Sequence, residues 1–211
     1  MKPFIPDWLP IAHIDWEGNA ALIGQANRAL AGYGGILHAL QNPALMLSPL
    51  TTQEAVLSSK IEGTRATLSE VLQHDAGEPP ASPAQSEDIG EIVNYRAALM
   101  YARHALNHRP FSLGLLLELH QRLLDSVRGA SKNPGKFRNT QNWIGAPGSS
   151  IEAAYFVPPP PELIGDYLEN FAGYYHSDRP DPVVQLAILH AQFEIIHPFD
   201  YAFSKVLLLC F

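Results

Sequence analysis

The residues with the most pointed chemistry lie near the C-terminus: His190, Glu194, His197 and Pro198. From Pro182 to Ile196 the sequence is apolar at nearly every position, with Gln185, His190, Gln192 and Glu194 as the polar exceptions. A helix apolar on most sides belongs in the middle of a domain. Pro198 disfavours helical geometry in the residue before it, so the helix is expected to stop at His197. An imidazole on the end of a rigid core helix can take up a proton near neutral pH, the work of a general base. The plainer reading of the same residue is a hydrogen-bonded helix-end histidine. Spacings of four and three also let His190, Glu194 and His197 share a helix face as zinc ligands. The stop at His197 and the lack of a further ligand cluster argue against a metal held by the protein alone.

Two other stretches carry chemistry-bearing residues in unusual settings. Ser58-Ser59-Lys60-Ile61-Glu62-Gly63 falls inside an otherwise helical pattern, where glycine after glutamate is a local weakness; an exposed glutamate with a tolerated glycine explains it equally well. Ile151-Glu152-Ala153-Ala154-Tyr155-Phe156-Val157 has strand-like composition and follows the turn residues Pro147-Gly148-Ser149-Ser150. A short hairpin there would offer an open backbone edge to an extended peptide. The alternative is a solvent loop with a stray strand.

The elements that must position these residues are mostly helices. Leu22, Ala26, Ala29, Leu30, Tyr33, Ile36, Leu37 and Leu40 recur at three and four over Glu17–Leu40, an amphipathic helix. The Gly34-Gly35 pair within it implies close packing, and Asn42-Pro43 stops it. Thr51 with Glu54 predicts a capping box opening a second helix through Leu57, Ile61, Leu68 and Leu72, with Ser58–Gly63 in its middle. Asp75–Gln85 reads as a loop. Asp88 with Glu91 predicts a capped helix through Ile92, Val93, Leu99 and Met100, and Ser112 caps the next, with Leu115, Leu116, Leu119, Leu123 and Leu124 on its apolar face. Arg128–Pro161 has no helical period, and unstructured connections of that length often carry function. Pro158 to Pro161 stiffen its exit before a helix with Ile164, Leu168, Phe171 and Tyr175. Residues 1–16 read as an extended arm packed on the body by Trp8 and Trp16.

Composition narrows the classes of function. At 211 residues and 46% hydrophobic, the chain can bury one good core. A net charge of −7 with scattered basic residues argues against a surface for nucleic acid. No apolar run is long enough to span a bilayer, and the first residues lack a signal-peptide core. The one cysteine, Cys210, rules out an internal disulfide and suits a reducing compartment, so a cytoplasmic protein is expected.

Taken together, Ser58–Thr64, Arg138-Asn139-Thr140-Gln141-Asn142-Trp143-Ile144-Gly145, Tyr155–Pro160 and Leu189–Phe199 resemble the Fic family of nucleotide-dependent protein modifiers, specifically the class with an N-terminal inhibitory helix. The resemblance implies an all-α fold, a helical bundle carrying a short β-hairpin flap. Residues 1–74 would hold the arm and the inhibitory helix, and residues 86–211 the Fic core, incomplete at its C-terminus. The implied activity is transfer of AMP from ATP, with Mg²⁺, to a Ser, Thr or Tyr hydroxyl of a target protein. In that family the motif reads His-Pro-Phe-x-(Asp/Glu)-Gly-Asn-Gly-Arg-x-x-Arg. His197 would take the target's proton, while Pro198 and Phe199 anchor the loop. Residues 151–157 would hold the target through main-chain bonds. Ser58, Glu62 and Gly63 match the inhibitory pattern (Ser/Thr)-x-x-x-Glu-(Gly/Asn), whose glutamate pairs with the motif's second arginine.

After Phe199 the sequence departs from that motif. Tyr201 stands at the metal-holding acid, Ala202-Phe203-Ser204 replaces Gly-Asn-Gly, Lys205 replaces the first arginine and Leu208 the second. Asp200 falls one residue early for Mg²⁺. Ala202 and Phe203 lack glycine's freedom to form the backbone nest that holds phosphate, and Lys205 keeps a charge without arginine's fork. A truncation or a changed reading frame just after Phe199 would produce such a tail. Two expectations follow: an adenylyltransferase impaired in this form, or a non-catalytic Fic-like module that binds a partner through the flap or pairs with a second copy.

Overall fold

The computed structural model describes residues 2–61, 63–127, 130–146, 148–200 and 206. Seven α-helices occur among them: α1 (Trp16–Ala39), α2 (Pro43–Ile61), α3 (Leu68–Asp75), α4 (Pro83–His108), α5 (Leu113–Leu123), α6 (Ile164–Tyr175) and α7 (Pro182–Ile196). The described residues form no strands, so the all-helical expectation holds. None of these helices is long and apolar enough to cross a membrane.

α4 is the spine, with α2, α3 and α5 packed on it, while α6 and α7 form a second pair joined to it through α5. Its start is set by Ser82, whose hydroxyl accepts from the Gln85 N–H, with Pro83 at the first helical position. The predicted capping box at Asp88 and Glu91 is therefore wrong: both lie within α4 and are buried, and Asp88 accepts from the Arg65 N–H at 2.6 Å. The Asp-x-x-Glu signal competed with a better cap at Ser82, six residues earlier. Ile89, Ile92, Tyr95, Ala98, Ala102 and Ala105 face the core at helical spacing. α5 starts at Ser112 as expected and buries Leu115, Leu116, Leu119, His120 and Leu123.

α2 also begins earlier than its sequence suggested. Pro43 opens it, and Thr51 sits mid-helix with its hydroxyl donating to the Leu47 carbonyl at 2.9 Å. It ends at Ile61, so Ser58–Gly63 forms its end rather than its middle. The chain turns at Gly63 and re-enters helix at Leu68, where Thr67 and Glu70 make a true capping box.

α1 matches its expected span but buries nothing; Leu22 is 65% exposed and Ile36 63%. The close packing expected at Gly34-Gly35 is absent, since a Cβ at either would meet nothing within 4 Å. α7 is likewise less enclosed than its composition implied. Leu189, Gln192, Phe193 and Ile196 are buried, but Leu186, Ala187 and Ala191 are exposed, because α6 and α1 cover only part of its circumference.

The N-terminal arm is fastened by specific bonds. Asn170 on α6 accepts from the Leu9 N–H and donates to the Leu9 carbonyl, both at 2.8 Å. The Tyr167 hydroxyl donates to the Pro6 carbonyl, Gln192 donates to the Asp7 carbonyl, and Trp8 stacks on Tyr167. Further out, the Phe4 N–H donates to the Val157 carbonyl at 2.8 Å.

Candidate functional site

Asp181 caps α7, accepting from the Val183 and Val184 N–H groups, and the helix runs to Ile196. His197 then adopts a left-handed backbone, φ 49° and ψ 61°, with its N–H still donating to the Phe193 carbonyl at 2.9 Å. Glycine is the usual occupant of such a helix end; histidine costs about 1–2 kcal/mol there. The reversal hands the chain into Pro198 and Phe199, both buried. Phe199 lies on the His120 ring at 4.0 Å between centroids, with Phe137 at 5.2 Å and Phe193 at 6.3 Å. The Gly135 N–H donates to His120 Nδ1 at 3.0 Å, which fixes that ring beneath the phenylalanine.

Burial pushes the His197 imidazole down to about 4, with the Arg138 cation adding to the shift. The imidazole is therefore neutral at physiological pH, the protonation state a general base needs. Arg138 is itself buried. Its Nε donates to the His197 carbonyl at 2.8 Å, and its Nη2 to the Pro159 carbonyl at 2.6 Å and the Ile196 carbonyl at 3.3 Å. Its Nη1 donates to the Thr140 carbonyl at 3.0 Å, and its backbone N–H to the Pro198 carbonyl at 2.9 Å. Burial lowers its pKa to about 10, so it remains a cation, helped by Asp200 and Glu162. A cation on the last carbonyls of α7 also complements the negative end of the helix dipole.

Asp200 follows the motif and accepts from Asn133 Nδ2 at 3.2 Å. Ser204 and Lys205, the other residues expected at nucleotide, lie outside the described residues, as does Glu62. Of the inhibitory set, Ser58 is buried and donates to Glu54 Oε1 at 2.5 Å. Gly63 takes φ 99° and donates its N–H to the Lys60 carbonyl at 3.1 Å. Among the described residues, no group of three or more His, Cys, Asp or Glu side chains is placed to hold a metal ion.

The flap differs from its expected form. Ile151–Ala153 is a turn of 3₁₀ helix, and among the described residues pairing is confined to one antiparallel bridge between Ile144 and Phe156. The Ile144 N–H donates to the Phe156 carbonyl at 2.8 Å, while the Tyr155 and Phe156 N–H groups both donate to the Ile144 carbonyl. Pro158 onward cannot donate to a ladder, which limits the bridge on one side, and the 3₁₀ turn limits it on the other. Ala154 and Val157 point into the body, whereas Tyr155 is 74% exposed.

Sequence reasoning placed His197, Pro198 and Phe199 correctly in their elements and missed three supports: the clamp by Arg138, the ring of His120 and the tether from Asn133. Arg138 opens one of the stretches that carry the family resemblance, but spacing alone names no partner for it.

Two family models match the chain, the Fic/DOC family N-terminal model over residues 20–104 and the Fic/DOC family model over residues 110–202. The chain belongs to the Fic/DOC family. Fic proteins of known structure share its fold. A Fic family protein from Desulfovibrio desulfuricans has TM-score 0.67 at 21% identity, covering 100% of this chain and 58% of that one. Fic-1 from C. elegans has TM-score 0.70 at 20% identity, covering 90% and 56%. A Fic domain containing signaling protein from Bacteroides thetaiotaomicron has TM-score 0.59 at 20% identity, covering 72% and 57%. This chain thus spans a little over half the length of each of these Fic structures.

Proposed function

We propose that this Fic chain is built for protein adenylyl transfer and is impaired in that reaction by the residues after Phe199. In the reaction, the hydroxyl oxygen of a target Ser, Thr or Tyr forms a bond to the α-phosphorus of ATP. The bond from that phosphorus to the bridging oxygen breaks, pyrophosphate leaves, and His197 accepts the hydroxyl proton. A positioned base is typically worth about 10²–10⁴-fold. The observation that carries this reading is the His197 imidazole, kept neutral at the end of α7 on a left-handed backbone. The target would lie on the flap, Ile151 to Val157, held by main-chain bonds that ask little of its sequence. Asp200 lies one residue before the family's metal-holding position; with a one-residue shift in register it would hold the Mg²⁺ that offsets charge on the departing pyrophosphate.

The impairment lies in the residues that follow Phe199. Ala202 and Phe203 replace the glycine-rich turn, and Leu208 replaces the second arginine of the motif, the residue with which an inhibitory Glu62 would pair. Ser58, Glu62 and Gly63 would then be an inhibitory element without its partner, and Glu62→Gly is expected to leave activity unchanged. A large gain would show that Lys205 or another cation has taken the arginine's role.

The direct experiment is incubation with α-labelled ATP and Mg²⁺, followed by inspection of the protein itself and of lysate proteins for label. Weak transfer that disappears in His197→Ala supports the enzyme. The lost glycine turn favours a second reading, a non-catalytic module that binds a partner through the flap; absence of label with retained partner binding would select it.

A further inference from the structure

Arg138 belongs to no step of the reaction proposed above, yet it joins the three segments that reaction brings together. The Thr140 carbonyl lies at the entry to the flap and the Pro159 carbonyl at its exit, while the Ile196 and His197 carbonyls end α7; one guanidinium donates to all four. Its own backbone N–H holds the Pro198 carbonyl. These carbonyls belong to a helix end and to loop backbone, where no regular ladder would satisfy them; the bonds to Pro159 and Ile196 are buried, and a buried carbonyl without a donor costs about 1–3 kcal/mol. The planar fork suits the task, because its donors leave in fixed directions in one plane. An ammonium group presents three donors at a single point and cannot reach four carbonyls spread around a guanidinium.

We propose that Arg138 is a positioning residue: its fork fixes the flap's two ends and the His197 backbone as one rigid unit, so that a chain on the flap meets the imidazole at a set distance. The proposal rests on the adenylyl-transfer reading for its purpose, not for its test. Among the described residues, charged or titratable groups on the elements packed around this end of α7 include Arg138, Glu162, Asp200, Glu194 and His120. The Arg138 charge acts on the His197 imidazole, and Asp200 and Glu162 act on Arg138.

The test uses the full chain with Arg138→Lys and Arg138→Met, and needs neither nucleotide nor turnover. Amide hydrogen exchange is followed residue by residue, and the His197 ring is titrated by NMR. Loss of the fork is expected to speed exchange at the Ile144, Tyr155, Phe156 and His197 amides by about tenfold or more in both variants, with α4 core amides little changed. The His197 titration should rise from its depressed position, further in Arg138→Met, which also loses the charge. Arg138→Lys with parental exchange and parental titration would overturn the proposal, because charge alone would suffice. Acceleration by the same factor throughout α4 would overturn it too, since that describes a residue supporting the whole fold. If Arg138→Met does not fold, Arg138→Lys decides alone. Label transfer by the unaltered chain is a separate measurement, so failure of the enzymatic reading and failure of the clamp are told apart.

Discussion

α2 and α7 both turn the chain through a left-handed residue at their C-terminal ends, and they do so by opposite means. At α2 the residue is Gly63, φ 99°, with open space around it and bonds confined to its own helix end, Gly63 N–H to Lys60 and Thr64 N–H to Ser59. Glycine adopts this conformation at little cost, so nothing outside the helix is required. At α7 the residue is His197, which carries a side chain into the same region and is held there by Arg138, Pro198 and the buried ring of Phe199. Strain is tolerated where surrounding contacts over-determine the backbone, and such places are often functional. The difference separates a turn that ends a helix from one that aims a side chain.

The largest blow to the α7 end should come from Phe199→Ala. The ring is fully buried against His120, Phe137 and Phe193, and its removal is expected to cost about 3–5 kcal/mol, read from urea unfolding. A cost below about 1 kcal/mol would mean that the loop is not anchored there.

Acid should act on the same end next. The unfolded imidazole protonates near 6.5 and the folded one near 4. Between these values the unfolded chain binds more protons, so His197's contribution is complete above about 6.5 and is lost as pH falls towards 4, levelling off below. The loss amounts to roughly 3 kcal/mol at most. His197→Asn, which keeps a residue tolerant of the left-handed region, should flatten this part of the stability profile. An unchanged profile would assign the acid sensitivity elsewhere.

Gly63→Ala should cost about 1–2 kcal/mol, all of it backbone, because the added methyl has room. An effect near zero would show that α2 can end without the left-handed turn. Smallest of all, Tyr155→Ala on the exposed face of the flap should change stability by no more than about 0.5 kcal/mol. A larger loss would make Tyr155 part of the core rather than of a binding edge.

Legibility from the sequence followed the range of the interactions. The stop of α7 at His197 was readable because Pro198 acts on its neighbour, and α5 because Ser112 precedes a clear apolar period. The starts of α2 and α4 were misread because Thr51–Glu54 and Asp88–Glu91 mimic capping boxes inside longer helices opened by Pro43 and Pro83. The exposure of α1 could not be read, since its apolar residues say that a face exists and not whether anything covers it. The clamp by Arg138 and the stacking of His120 on Phe199 join residues about sixty and eighty positions apart, and no local pattern encodes such pairs.

The arm that crosses α6 and α7 delivers Phe4 to the Val157 carbonyl, at the outlet of the flap. Any polypeptide fused ahead of residue 2 therefore emerges beside the edge on which a target would be laid. If the proposed target edge is right, a purification handle at this end would be a tethered competitor at high local concentration, and binding should be measured with it removed.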